Sequence, residues 1–270
     1  MCALFLVLHW AALAVGAPPG VRLAEIPWTE AEPLLTRDRV VVLPLGAGSK
    51  EHGPHLSLGN DQILAEYFAG RVLAARPVVL LPTLTYGYYP AFVEYPGSVS
   101  LSFDTQRDVV VEICRSLARH GPRRFYVLNT GISTARSLAA AAERLAGEGV
   151  LLRYTDIEKT GQAARQAVRQ EKHGTHADEI ETSMVLYMRP DAVRMDKAVS
   201  DGAVPAPGPL TREKGREGVY SPSGVFGDAT LATRSKGEKV TEAMVADILA
   251  EIDALAVAPL PYGTPRSPLD

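Results

Sequence analysis

The sequence predicts an α/β protein, a three-layer α/β/α arrangement around a largely parallel central sheet. Short runs of β-branched and apolar residues alternate along the chain with longer segments whose apolar residues recur every three or four positions. The short runs are typical of strands buried on both faces, and the longer spacing is typical of helices with one apolar side. Strands that alternate with helices of this length form parallel sheets covered on both faces.

Four strands and five helices follow from these patterns. The strand runs cover residues 40–45, 78–82, 124–129 and 149–154. The predicted helices cover about 61–75, 105–120, 133–147, 177–188 and 239–256. Residues 200–227 are rich in Gly, Pro and Ser and are predicted to form a long loop. Since ligands bind at the carboxyl ends of parallel strands, we expect the functional site in the loops that follow residues 45, 82 and 129.

The composition indicates one soluble folded domain that acts on a small molecule. Apolar residues make up 46% of the 270 positions, which is enough for a sizeable core over residues 18–257. The last segment, 258–270, contains four prolines and is predicted to be a loosely held tail. A net charge of −3 and the absence of a Lys/Arg stripe argue against a nucleic-acid partner.

The beginning of the chain predicts export. Residues 3–17 form an apolar run that ends in small residues, and Pro18-Pro19 follows it. Such a pattern is typical of a signal peptide, here residues 1–17, so we expect a periplasmic or secreted protein. The run is short for a membrane span of ~20 residues, and we expect no span after processing. A buried N-terminal helix is the alternative. Removal of the segment would leave Cys114 alone, on an apolar helix face and unable to form an intrachain disulfide.

A cluster of possible metal ligands follows the first strand. Glu51, His52, His55 and Asp61 lie within eleven residues, in a segment held by Gly and Pro. Imidazole nitrogens and carboxylate oxygens together suit Zn²⁺ or Mn²⁺. No phosphate loop, dinucleotide fingerprint or Gly-x-Ser-x-Gly motif competes for this position. The alternative is that the histidines only satisfy backbone groups in a tight loop.

At these residues the chain resembles the creatininase (creatinine amidohydrolase) family. The segment from Pro44 to Asp61 is similar to that family's Glu-Gln-His-Gly-Pro-His signature, and three further motifs follow in the family's order: 95–98, 176–183 and 224–228. The resemblance spans about 40–235. It implies an α/β fold with a two-metal centre that hydrolyses cyclic or linear amides. It also implies a homo-oligomer, with a hexamer among the possible assemblies.

The resemblance assigns roles to several residues. His52 and Asp61 would be metal ligands, with Asp61 bridging two ions, and His176 would be the proton shuttle. Glu179 lies three residues after His176, on the same helical face, where it could orient that histidine or reach a metal. The helical period places Glu181 about 140° away from His176, so we expect it outside the group that binds the metal.

Two departures from the family pattern bear on the metal centre. The family's glutamate is replaced by Lys50, and we expect the adjacent Glu51 to supply the carboxylate. The family's Asn-Gly-His is replaced by residues 129–131, Asn-Thr-Gly, so one histidine ligand is lost. His173 is the expected substitute because it shares a Gly-containing loop with His176. A single metal, or none, is the alternative.

The function predicted from the sequence is metal-dependent hydrolysis of an amide C–N bond in a small molecule. Tyr86 could wall the substrate pocket with its ring, and Glu94 could meet a cationic group of the substrate. Two alternatives stay open. One is a catalytically silent, exported binding or scaffold protein, and the other is an interaction protein held in a large oligomer.

Overall fold

The centre of the molecule is a five-stranded parallel sheet. The structure is a computed structural model that describes residues 20–202 and 206–263. The strands are β1 (Val21–Arg22), β2 (Val40–Leu45), β3 (Val79–Leu80), β4 (Arg124–Asn129) and β5 (Leu151–Tyr154). Their order is β1-β3-β2-β4-β5, and each neighbouring pair is parallel. The predicted signal segment and the end of the predicted tail lie outside the described residues.

Seven α-helices accompany this sheet in the described part of the chain. They are α1 (Trp28–Ala31), α2 (Asn60–Ala75), α3 (Phe103–Ala118), α4 (Thr134–Ala146), α5 (Gln162–Val168), α6 (Glu179–Met188) and α7 (Arg234–Val257). Five of them correspond to the predicted helices, and α7 begins five residues earlier than expected. The helix α5 was not predicted, because it is polar and has no buried residue.

Alternating residues of the strands form two separate cores, one on each face of the sheet. Val42 and Leu128 point to one face, where α2, α6 and α7 supply the other side of the core. Val41 and Val127 point to the opposite face and pack against α3 and α4. Because both faces are covered, β2 and β4 are buried along their whole length. The three-layer α/β/α prediction is confirmed.

The segment predicted as a long loop contains two small sheets. The strands β6 (Ser200–Asp201) and β9 (Gly227–Asp228) pair antiparallel, while β7 (Leu210–Thr211) and β8 (Val219–Tyr220) pair parallel. Each strand has two residues, which is too short to produce an alternation in the sequence. The segment returns the chain to the main sheet's carboxyl edge, where Phe226 forms a bridge with His176.

The helices α6 and α7 pack closely through a glycine. A Cβ atom added to Gly237 would lie 1.8 Å from the carbonyl oxygen of Ser183, so the absence of a side chain allows the backbones to approach. Beside this contact, the Lys236 ammonium donates to the buried Glu179 carboxylate at 2.5 Å. This contact fixes α6, the helix that carries Glu181, against α7.

No helix in residues 20–202 or 206–263 combines the length and apolarity that a membrane crossing needs. Cys114 lies on the buried face of α3, and burial raises the pKa of its thiol. A thiol in such surroundings packs as a small apolar side chain.

Candidate metal centre

The candidate site lies at the carboxyl edge of the sheet, where β2 and β4 end. The segment after β2 carries His52 and leads into the first turn of α2, which carries Asp61. A Cβ atom at Gly46 would lie 2.3 Å from the carbonyl oxygen of Asp61, so glycine lets the end of β2 approach α2. The third part comes from His176 and Glu181, just before and inside the first turn of α6.

His52 presents one ring nitrogen to two carboxylates. Its Nδ1 donates to the carbonyl oxygen of Lys50 at 2.8 Å. Its Nε2 faces Asp61 Oδ1 at 2.9 Å and Glu181 Oε1 at 3.4 Å. Burial and the Lys50 ammonium lower the pKa of His52, but the two carboxylates outweigh them and the pKa is raised. Positive charge at Nε2, either a proton or a metal ion, is therefore stabilised here.

His176 is oriented in the same manner. Its Nε2 donates to the carbonyl oxygen of Glu51 at 2.9 Å and lies 3.1 Å from Glu51 Oε2. With the hydrogen on Nε2, the lone pair is on Nδ1, which lies 3.9 Å from Glu181 Oε2. The ring packs against Phe92, with 4.3 Å between centroids.

Glu181 is fixed between the two histidines. One oxygen accepts from the backbone N–H of Ala177 at 2.8 Å, and the other accepts from Asn60 Nδ2 at 2.9 Å. Burial raises the pKa of the Glu181 carboxyl, but His52 and His176 more than offset this, and the pKa is lowered. The carboxylate is therefore charged at neutral pH.

Backbone strain lies beside this group. Ala177 has a φ of 49°, in the left-handed region that residues other than glycine seldom occupy. Asp178 caps α6 by accepting from the backbone N–H groups of Ile180 and Glu181. Strained positions of this kind cost about 1–3 kcal/mol and are held by the surrounding contacts. Here the strained residue turns the chain between His176 and the helix that carries Glu181.

These three residues fit one divalent ion. Nitrogen atoms of His52 and His176 and a carboxylate oxygen of Glu181 lie within 4.8 Å of one another. Ligand atoms that share a Zn²⁺ ion at ~2.1 Å are separated by less than twice that distance, so small side-chain shifts would bring all three into contact with it. Each histidine also has its other nitrogen on a carbonyl or carboxylate oxygen, as metal-binding histidines usually do.

Lys50 occupies the remaining side of Asp61. Its Nζ lies 2.7 Å from Asp61 Oδ2, and both side chains are buried. Burial raises the pKa of the Asp61 carboxyl, but Lys50 and His52 outweigh this and hold it well below its usual range. The Asp61 carboxylate thus contacts both the Lys50 ammonium and the His52 imidazole. It is not free to bind a metal ion with both oxygens.

Several residues predicted from the sequence lie outside this group. His173 is exposed and is not part of the His52–His176–Glu181 cluster. Glu179 is buried on the other side of α6, where its Oε2 accepts from the backbone N–H groups of Gln170 and Glu171. Glu51 lies in the site and contacts His176, but it is not one of the three clustered ligands.

The two predicted substrate contacts are also placed by the structure. Tyr86 is half exposed at 50% and is not among the residues that line the cavity of about 640 Å³ beside His176 and Glu181. Glu94 accepts from Thr211 Oγ1 at 2.9 Å and from the backbone N–H of Arg212 at 3.0 Å. It also forms an ion pair with Arg216 at 3.1 Å, so protein groups already engage its carboxylate.

His55 connects the segment after β2 to α6. Its Nε2 lies 2.8 Å from Thr182 Oγ1, and its ring is buried. Burial lowers the pKa of His55 to about 4, so this ring is neutral at physiological pH. Sequence reasoning had included His55 among four possible ligands, whereas it had placed Glu181 outside the metal group.

A cavity of about 640 Å³ opens onto the cluster. Its walls include His176, Glu181, Asp61 and Lys50, together with the apolar side chains of Ile180 and Phe226. A mostly apolar pocket with a few converging charged groups is the usual form of a small-molecule site.

The loop after β4 contributes no ligand-type side chain. Asn129 Oδ1 accepts from Thr134 Oγ1 at 2.6 Å, and its Nδ2 donates to the carbonyl oxygen of Gly131 at 2.7 Å. Thr130 donates to the carbonyl oxygen of Leu45 at 3.1 Å. The side chains of Asn129 and Thr134 are therefore used within the loop, and the residues of the loop that line the cavity are Thr130, Gly131, Ile132 and Ser133.

Fold and site together define an α/β protein with a candidate metal site at the carboxyl edge of a parallel sheet. The model of the creatininase family, described as creatinine amidohydrolase, matches residues 24–252. The chain therefore belongs to the creatininase family.

Individual relatives support this assignment. The chain is 30% identical over 248 residues to a creatinine amidohydrolase of Pseudomonas putida, covering 84% of this chain and 94% of the relative. It is 29% identical over 222 residues to a mycofactocin precursor peptide peptidase of Mycobacterium ulcerans, covering 78% of this chain and 84% of that relative. A solved structure, "Creatininase Mn", superposes with a TM-score of 0.72 at 25% identity, covering 88% of this chain and 100% of that one. The family thus includes amide and peptide hydrolases.

Proposed function

We propose that this protein is a metal-dependent hydrolase of an amide C–N bond in a small molecule, with a divalent ion, Zn²⁺ or Mn²⁺, held by His52, His176 and Glu181. The observation that carries the proposal is the convergence of these three side chains beside a cavity of about 640 Å³ that His176 and Glu181 line. Family membership supports the reaction class, since the matching family model is that of an amidohydrolase.

The chemistry calls for such a site because an amide is a weak electrophile with a poor leaving group. A bound divalent ion polarises a carbonyl oxygen and lowers the pKa of bound water towards ~7. The protein's own task is to keep the ligands charged, oriented and shielded from bulk water. The Lys50 carbonyl oxygen and Glu51 fix the two imidazoles, and the Ala177 N–H and Asn60 fix Glu181.

His176 has a second possible role. The resemblance assigned it as proton shuttle, whereas the direction of its Nδ1 supports a role as ligand. A His176→Gln substitution distinguishes the roles, because loss of a ligand reduces metal affinity as well as turnover. Loss of a proton shuttle would reduce turnover, by ~10²–10⁴-fold, and leave the metal affinity nearly unchanged.

The test of the proposed function combines metal analysis with an amide panel. Purified protein is stripped with a chelator, reloaded with Zn²⁺ or Mn²⁺, and assayed on cyclic amides, including creatinine, and on short linear amides and dipeptides. We expect hydrolysis of at least one class by the reloaded protein only. His52→Ala should abolish both tight metal binding and hydrolysis, whereas His120→Ala, at an exposed histidine, should change neither. Hydrolysis that persists in His52→Ala would contradict the proposal.

A catalytically silent binding or scaffold protein is the second candidate. It is favoured by the loop at 129–134, which supplies no ligand-type side chain, and by the ammonium of Lys50 on Asp61. This candidate predicts protein that binds metal or a small amide but shows no turnover with any substrate in the panel.

Two properties of the whole protein stay predictions. We propose export, supported by the apolar run at residues 3–17 followed by Pro18-Pro19. N-terminal sequencing of the native protein should find a start near residue 18, and a start at Met1 in mature protein would contradict export. Assembly into a homo-oligomer, as in many members of the family, is measured by light scattering of the purified protein.

A further inference from the structure

We propose that the ammonium of Lys50 takes the place of a second metal ion at Asp61, so that each chain binds one divalent ion and not two. The inference rests on the proposed function, because it concerns the same site. It makes Lys50 a fixed positive charge of the site, and it makes Asp61 the partner of that charge rather than a bridge between two ions.

The first support is the division of the Asp61 carboxylate. One oxygen, Oδ2, lies 2.7 Å from Lys50 Nζ, and the other, Oδ1, lies 2.9 Å from His52 Nε2. A second ion on Asp61 would have to displace the ammonium or sit beside it. Divalent and ammonium charges repel strongly at such distances in a site with little water.

The second support is that the ammonium is built into its position. The Lys50 side chain is 6% exposed, and its Nζ lies 4.7 Å from the ring centroid of Phe92 and 5.4 Å from that of Tyr89. Aromatic faces stabilise a desolvated cation. The backbone is fixed as well, since the N–H of Lys50 donates to the carbonyl oxygen of Leu58 at 2.9 Å. This lysine is therefore an ordered component of the site.

The third support is that the loop after β4, on that side of the site, offers no free side-chain ligand in the described structure. The nearest loop, residues 129–134, uses its Asn129 and Thr134 side chains for bonds within the loop. Thr130 Oγ1 donates to the backbone carbonyl oxygens of Leu45 and Asp61. A second ion near Lys50 would thus have Asp61 and no histidine, whereas the ion on the other side has His52, His176 and Glu181.

Lys50 also contacts both His52 and Asp61. Its carbonyl oxygen accepts from His52 Nδ1, and its ammonium pairs with the carboxylate that faces His52 Nε2. One residue therefore orients the imidazole and neutralises its neighbour. We classify Lys50 as a positioning residue, and its expected signature is the number of ions bound.

The test is metal stoichiometry. Full-length protein is saturated with Mn²⁺ or Zn²⁺, dialysed, and analysed by elemental mass spectrometry, with calorimetric titration of the stripped protein in parallel. We expect one ion per chain, and for Mn²⁺ the electron spin resonance spectrum of an isolated ion. Two tightly bound ions per chain would overturn this inference while leaving the proposed function intact. No bound ion would overturn both.

Variants of Lys50 test whether its ammonium is what excludes the second ion. Lys50→Glu replaces the ammonium by a carboxylate, and we expect it to bind a second ion, at least tenfold more weakly than the first. Lys172→Glu, at an exposed lysine, is the matched control and should keep one ion per chain. Lys50→Gln removes the charge but keeps a polar side chain, and it replaces Lys50→Glu in the test if that variant does not fold. We expect Lys50→Gln to bind a second ion at millimolar metal. Folded Lys50 variants that still take up only one ion at millimolar metal would overturn the role given to the ammonium.

Discussion

The contact between α6 and α7 offers a sharp test of how the fold holds the site. Gly237 lies in the first turns of α7, and a Cβ atom there would meet the Ser183 carbonyl oxygen at 1.8 Å and its carbon at 2.4 Å. Both neighbours are backbone atoms of α6, so no side-chain rotation can relieve the overlap. Gly237→Ala is expected to separate the two helices.

The magnitude follows from the geometry. Cβ atoms essentially never lie closer than 3.0 Å to another heavy atom, so α7 would have to move away from α6 by more than about 1 Å. Overpacking of this kind costs about 1–3 kcal/mol, and the better helix propensity of alanine returns at most about 1 kcal/mol. We expect Gly237→Ala to reduce the free energy of unfolding by about 1–2 kcal/mol. Since α6 carries Glu181, metal affinity should fall as well.

The assay is urea unfolding monitored by circular dichroism, combined with metal titration of the folded protein. Gly70→Ala is the matched control, because Gly70 also lies inside a helix but has no atom within 4 Å of an added Cβ. It should stabilise the protein by about 0.5–1 kcal/mol and leave metal affinity unchanged. Equal effects of the two substitutions would refute the close approach of α6 and α7.

Three further predictions concern groups around the site. Lys236→Met leaves the buried Glu179 carboxylate without its ion pair and should cost about 3–5 kcal/mol in urea unfolding, with the number of bound ions unchanged. His55 has a pKa of about 4 in the folded protein against 6.5 ordinarily, so the unfolded state binds its proton first. Stability from this group should therefore be complete above pH 6.5 and fall as the pH drops towards 4, and His55→Gln should flatten that part of the stability profile. Gly224→Ala places a Cβ atom 2.1 Å from Glu51 Oε1, at a φ of 85°. It should displace Glu51 from His176 and weaken metal binding by roughly 10–100-fold. Wild-type metal affinity in this variant would contradict the role of Glu51 in orienting His176.

The two central strands of the sheet, β2 and β4, were predictable because they are buried on both faces. Val40–Leu45 and Arg124–Asn129 are short apolar runs closed by polar or glycine residues, and the structure gives both the predicted bounds. The elements that sequence reasoning missed are those without a buried face, such as α5, or with two residues, such as β6. Hydrophobic periodicity carries no information about such elements.

The position of Glu181 could not be predicted from the helical period, for a particular physical reason. The angle assigned between His176 and Glu181 assumed a helix running from one to the other. In the structure, α6 begins at Glu179, and Ala177 at a φ of 49° turns the chain just before it. The helical period therefore does not relate the two residues, and Glu181, not Glu179, lies beside both histidines.

For a related reason, the sequence alone could not decide whether His173 replaces the histidine ligand lost at residues 129–131. Sharing a glycine-containing loop with His176 brings two residues near each other along the chain, but it does not fix the direction of their side chains. The structure leaves His173 exposed while His176 is buried at 5%. The segment 50–61, in contrast, could be recognised, because a short connection of residues 53–59 brings His52 beside Asp61 in the first turn of α2.

The central claim is that His52, His176 and Glu181 hold a divalent ion, and a crystal structure of protein soaked in Mn²⁺ or Zn²⁺ tests it most directly. Anomalous scattering locates the ion independently of any activity. The predicted result is one strong peak per chain, at bonding distance from His52 Nε2, His176 Nδ1 and a Glu181 oxygen, with Lys50 still paired to Asp61. The absence of a peak there, or a peak on Asp61 in place of the Lys50 ammonium, would contradict the account.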